Sequence, residues 1–346
     1  MNLVTSVKNF PRNYPLLVKL VGYTIFLLTI LLIVSIFSLS RGEYIFSVTK
    51  VFSILFSSEG NEIERTILLE LRLPRTLTAI TVGASLSLVG TVFQALLKNP
   101  LAEPYILGIS SGGALGAVFA ISIGVATFSI SAFSFTGSFI AFIIVYLFGR
   151  RFGEIDPTSI LLIGVMVNAF ASALILLIIT FVDQSFRIAL FWLMGSLSMV
   201  TMNKSIFMFT VFFITSLIFI YLSHQYNLIS ISEENAKQYG VNIQFLKNLS
   251  FVLGSFIIGV IVAFVGIIGF VGLVVPHICR LILGFDNRFV IPLSVFVGGI
   301  FMVLADLVSR TAFSPMELPI GIITAIIGAP IFIFLLRQRN YKYNGG

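Results

Sequence analysis

Ionisable side chains are scarce in this chain, and those bordering apolar runs are where chemistry would sit. Arg72 and Arg75 flank Leu73-Pro74 at the mouth of a long apolar stretch. Arg310 follows Asp306 by four residues near the end of another. A guanidinium stays charged and meets a carboxylate through paired hydrogen bonds, so these three suit recognition of acidic groups. A charge at mid-bilayer costs roughly 2.5–3.5 kcal/mol on insertion scales, which places all three, with Asp306 and Glu317, near an interface. Asp306 and Arg310 also have the spacing of a local helical ion pair.

Other chemistries lack their residues. The glycine-rich run from Leu107 to Gly116 has no Gly-Lys pair, so it cannot make the phosphate loop of an ATPase. Gly108, Gly112 and Gly116 instead form a small-xxx-small stripe for close helix packing. His224 and His277 lie far apart, no His-Glu-x-x-His occurs, and the lone Cys279 excludes an internal disulfide. No metal site, bound cofactor or catalytic constellation is expected.

The elements that must carry these residues are membrane helices. Of 346 residues 58% are hydrophobic and only 10% charged, against about 25% charged in a soluble domain. A spanning helix needs roughly 20 apolar residues. About ten such runs appear, near 18–39, 74–97, 105–124, 127–148, 157–182, 203–222, 248–267, 269–283, 290–309 and 319–336, the eighth being short. The expected fold is an all-α polytopic membrane protein forming one integral domain over 1–346. The first run is read as a span, not a cleaved signal. An even number of spans puts both termini on one side. Lys8, Arg12, Lys98, Arg150, Arg151, Lys237, Lys247 and Arg280 then share that side, which the positive-inside rule makes cytoplasmic. The net charge of +7 comes without a basic-aromatic module, so no nucleic-acid partner is expected.

Two spans carry small or polar stripes. Gly164, Asn168 and Ser172 share a face of the fifth, and Gly321, Thr324, Ala325 and Gly328 a face of the tenth. Such a stripe serves either tight packing or the wall of a path for a bulky solute. Asn168 favours the path, because an amide against lipid lacks partners. The long inner loop, residues 229–246, reads as a docking helix. Ser232 is its N-cap, Glu233 and Glu234 fill its first turn, Ala236 lies within it, and Gly240 follows its end.

Six motifs in order then define a resemblance over nearly everything after residue 65. They are Leu71-Arg-Leu-Pro-Arg75, Gln94 through Pro104, Trp192-Leu-Met-Gly195, Gly269 through His277 with Arg280, Ala305-Asp306 with Arg310, and Glu317-Leu-Pro-Ile-Gly321 with Gly328-Ala-Pro330. The chain resembles permease subunits of the FecCD/BtuC type. These serve binding-protein-dependent ABC importers for iron-siderophores, haem and cobalamin. The resemblance implies ten-span subunits in a homodimer or paralogous heterodimer around a central path. It implies a cytoplasmic ATPase that holds ATP and magnesium and meets Glu233, Glu234, Ala236 and Gly240. An outer substrate-binding protein would present acidic residues to Arg72, Arg75 and Arg310, and the fifth and tenth spans would line the path. On this reading Arg72→Glu with Arg310→Glu weakens docking and leaves folding intact. The alternative is an ion-gradient-driven secondary transporter, for which Asp306 is the one candidate coupling acid. The first span and first outer loop match no motif.

Overall fold

The computed structural model describes residues 16–344 except 58, 106, 152, 182–185 and 199. Lys8 and Arg12 lie outside the described residues. The chain opens with α1 (Leu16–Ser40) and a short α2 (Val48–Ser57). One apolar run from Glu62 to Leu96 follows, made of α3 (Glu62–Arg65), a π-helical segment (Thr66–Arg72) and α4 (Leu73–Leu96). Pro74 has no N–H to return to the preceding turn, and the wider π turn lies just before it. Then come α5 (Ile109–Ser122), α6 (Thr127–Phe148) and a two-residue antiparallel hairpin of β1 (Arg150–Arg151) and β2 (Glu154–Ile155). The remainder is α7 (Pro157–Thr180), α8 (Phe186–Leu193), α9 (Met202–Tyr221), α10 (Ser223–Ile231), α11 (Glu233–Gln238), α12 (Ile243–Val265), α13 (Val271–Leu283), α14 (Asn287–Thr311) and α15 (Ile320–Asn344).

All ten expected spans are helices, and seven are long and apolar enough to cross a bilayer among the described residues. The third, eighth and tenth are not among the seven; the eighth is short as expected, and the tenth is apolar only over Ile320–Leu335. At 1.5 Å per residue, the 14 residues of α5 and 13 of α13 reach about 20 Å, short of a core about 30 Å thick. Each begins on a left-handed residue, Gly108 (φ +78°) and Phe270 (φ +69°), after an irregular segment that uses up the missing length.

Helix α4 is the axis of the fold. Its apolar window is 89% buried, against 6% for α1 and 17% for α7. Glycines allow this. A β-carbon on Gly83 would overlap the Gly298 carbonyl of α14, and one on Gly90 would overlap the Gly272 carbonyl of α13. The buried hydroxyls of Ser87 and Thr91 donate to the carbonyls of Gly83 and Ser87, at 2.7 and 2.8 Å. The stripe of α5 also packs as expected: β-carbons on Gly112 and Gly116 would strike Ala141 and the Phe133 carbonyl of α6.

Candidate functional site

Polar side chains gather at the two opposite ends of α4. At its N-terminal end the three arginines converge with the C-termini of α1 and α14. Arg72 is buried and donates to the carbonyls of Leu39 (2.8 Å) and Tyr44 (2.5 Å), its guanidinium 5.1 Å from the Phe46 ring centre. Arg310, also buried, donates to the carbonyls of Ser38 (2.7 Å) and Arg41 (2.9 Å) and to the Ser38 hydroxyl. The last carbonyls of a helix have no partner within it and carry partial negative charge, so the two arginines close the end of α1.

Arg75 is held by carboxylates instead. Its Nε donates to Asp306 Oδ1 at 2.7 Å, and its Nη1 to the two oxygens of Glu317 at 2.8 and 2.9 Å. Asp306 is fully buried and also receives Arg310 Nε at 3.2 Å. The Asp306–Arg310 pair therefore exists as expected, but Asp306 is shared with an arginine 231 positions away. This corrects two expectations. Arg72 and Arg310 do not offer open forks, because the chain itself engages their donors: backbone carbonyls for Arg72, and carbonyls, the Ser38 hydroxyl and Asp306 for Arg310. Nor is reversal of both charges neutral for folding, since it would set two carboxylates against helix-terminal carbonyls in a buried site.

At the other end, α10, α11 and the start of α12 form a polar unit. The Ser232 hydroxyl caps α11, accepting from the Asn235 amide at 3.4 Å, and Gly240 ends it at φ +80°. Glu233 pairs with Lys247 of α12 at 2.9 Å and lies 4.0 Å from Lys98, just past α4. Ala236 is fully buried and fixes the inner face of α11, which leaves Glu234, Lys237, Tyr239 and Gly240 exposed. Helix α10 was not foreseen as a separate element. It breaks from α9 at Leu222 and ties down the start of α14, where Asn227 donates to Asp286 at 2.7 Å and accepts from the Asn287 amide at 2.7 Å. Burial pushes the Asp286 carboxyl up, but hydrogen bonds from Arg288 and Asn227 outweigh it and hold the group below the ordinary range.

Three more residues bind these parts together and were given no role by the sequence reading. Arg280 of α13 donates to Gln94 and to the Thr91 carbonyl of α4, and Gln94 donates in turn to the Gly272 carbonyl. Buried Glu103 accepts from the Phe270 amide at the start of α13, at 2.5 Å. Their signal in sequence was membership of the motifs that carry the family resemblance, which left their partners unstated.

The two stripes separate. On α7, Gly164 is buried beneath Gly108, Asn168 is partly buried, and Ser172 is exposed. Asn168 Oδ1 is enclosed without a hydrogen bond among the described residues. On α15 the stripe is spent on packing. The Gly321 amide donates to the Met194 carbonyl at 3.1 Å, Thr324 is fully buried, and a β-carbon on Gly328 would lie 2.6 Å from that of Phe270. Gly321, Thr324 and Gly328 thus take the packing alternative: the bends at 194–195 and 267–270 press directly on the two glycines, and Thr324, between them in sequence, is buried and donates to the Gly321 carbonyl.

Comparison with known proteins agrees with this architecture. The FecCD transport family profile matches residues 30–338. The molybdate import system permease protein MolB of Haemophilus influenzae is 35% identical over 342 residues, covering 97% of this chain and 98% of that one. The hemin transport system permease protein HmuU of Yersinia pestis is 34% identical, covering 92% and 96%. A solved structure described as an inward-facing conformation of a putative metal-chelate type ABC transporter superposes with a TM-score of 0.82 at 34% identity, over 92% of this chain and 99% of that one.

Proposed function

We propose, from the premise that the chain belongs to the FecCD transport family, a division of labour for this ABC-importer permease. The chain passes an iron chelate (siderophore or haem), or a related metal complex such as cobalamin, into the cytoplasm. It works as a homodimer or paralogous heterodimer, and a separate ATPase holds ATP and magnesium and supplies the energy.

In this reading the α11 end and both termini are cytoplasmic. The exposed Glu234, Lys237, Tyr239 and Gly240 meet the ATPase, while Glu233 and Ala236 anchor α11 to its own chain. The Arg75 end faces outward and receives the substrate-binding protein. The exposed face of α7, with Ser172 and beside it the partly buried Asn168, lines the path opposite a second subunit. Movement of the α10–α11 unit reaches α12 through Glu233–Lys247 and α14 through Asn227–Asp286, and α14 ends at the Asp306–Arg310 cluster.

The observation that supports this most is the course of α4. One buried helix starts in the arginine–carboxylate cluster and ends beside Lys98, within reach of Glu233 of the docking unit. The test is uptake by proteoliposomes holding the permease, its ATPase and its binding protein, with labelled ferric siderophore, haem and cobalamin as cargo. Accumulation of one of them only with ATP is the expected result. Accumulation driven by a proton or sodium gradient without the ATPase would overturn the proposal.

A further inference from the structure

The three arginines at the outward end differ in what holds them. Arg72 and Arg310 are each 7% exposed and donate into carbonyls at the end of α1. Replacing those contacts would reopen a buried helix terminus. Arg75 is held from two sides by groups of different standing. Asp306 is fully buried, whereas the Glu317 side chain is 47% exposed.

Glu317 also ends a stretch, residues 312–317, that is exposed throughout between α14 and α15. The next residue is fixed: the Leu318 amide donates to the Ser309 carbonyl at 3.0 Å, and Ser309 donates back to the Leu318 carbonyl. The Glu317 side chain can therefore swing off Arg75 without disturbing the fold. Three arginines face two carboxylates here, so the cluster is cationic even with Glu317 in place, and more so once it leaves. Exposed Phe313 and Met316 flank the position with apolar surface.

We propose that Glu317 is a resident competitor for Arg75, displaced on docking by a carboxylate of an acidic protein surface. This rests on the reading of the Arg75 end as the binding-protein face. One carboxylate replaces another, so Arg75 stays paired on both sides and no buried charge is left alone. Docking would draw on the difference between the two carboxylates, and Glu317 would lower the affinity for any partner that lacks a well-placed acid.

The experiment titrates the assembled permease–ATPase complex in nanodiscs with the cognate substrate-binding protein purified from the same cells. The variants are Glu317→Gln, Glu317→Ala and Arg75→Lys, the last retaining a cation beside Asp306 so that the fold survives. The Glu317 variants are expected to bind about two- to fivefold more tightly, the scale of one exposed ion pair, with a steeper loss of affinity on adding salt. Arg75→Lys is expected to bind more weakly. Weaker binding by Arg75→Lys with unchanged or weakened binding by both Glu317 variants would overturn the competitor and leave the docking face standing. Wild-type affinity in all three would overturn both.

Discussion

Removing Asp306 tests the arginine–carboxylate cluster most severely. The residue is fully buried, and both its oxygens receive guanidinium nitrogens, at 2.7 Å from Arg75 and 3.2 Å from Arg310. Asp306→Ala leaves two arginines facing each other with no anion between them, since Glu317 reaches Arg75 alone. Breaking a buried pair in this way costs about 3–5 kcal/mol. Asp306→Asn keeps an acceptor while losing the charge, and should cost less, about 1.5–3 kcal/mol, the worth of hydrogen bonds to charged groups. Unfolding by SDS in mixed micelles, followed through Trp192, the single tryptophan, measures both. In a double-mutant cycle Arg310→Ala should be less damaging once Asp306 is gone, with a coupling of about 0.5–3 kcal/mol. Asp306→Ala unfolding at the wild-type SDS fraction would refute the claim that these charges hold α1, α4 and α14 together.

Three further outcomes are expected. Gly90→Val drives a side chain into the Gly272 carbonyl and should lower stability by at least about 1–3 kcal/mol, the usual cost of overpacking, seen as an earlier SDS midpoint. Glu233→Lys replaces the anion shared by Lys98 and Lys247 with a further cation, and should uncouple ATP hydrolysis from uptake; Lys247→Glu in the same chain should restore coupling. The Asp286 carboxyl lies below its ordinary value, so its contribution to stability is present above that value and lost as pH falls through the lower, folded one. Asp286→Asn should therefore flatten the acid limb of the stability–pH curve, and an unchanged limb would assign acid sensitivity elsewhere.

Much of this was legible in the residues, and the exceptions have physical causes. Apolar runs revealed the helices because a bilayer core admits little else. Hydropathy is blind to the left-handed breaks before α5 and α13, and nothing about the type of Phe270 announces a φ of +69°. The cap of α11 could be read because Ser232 and Gly240 act on neighbours in sequence. The partners of the arginines could not, since Arg75 meets acids 231 and 242 positions away and Arg72 meets bare carbonyls. A guanidinium near a membrane does need a partner; here the chain supplies most of it from within. The α15 stripe misled for the same reason, as glycine spacing records close approach without saying what approaches.

The most direct test of the account is the sidedness of two cysteines in a Cys279→Ala background. Glu234→Cys on α11 and Ser314→Cys before Glu317 are both exposed positions. In sealed vesicles with an impermeant maleimide, the thiol at position 234 should react only from the cytoplasmic face and be shielded by the ATPase. The thiol at position 314 should react only from the opposite face and be shielded by the binding protein. Labelling of both from the same face, or shielding of neither by its partner, would contradict the assignment of the two ends.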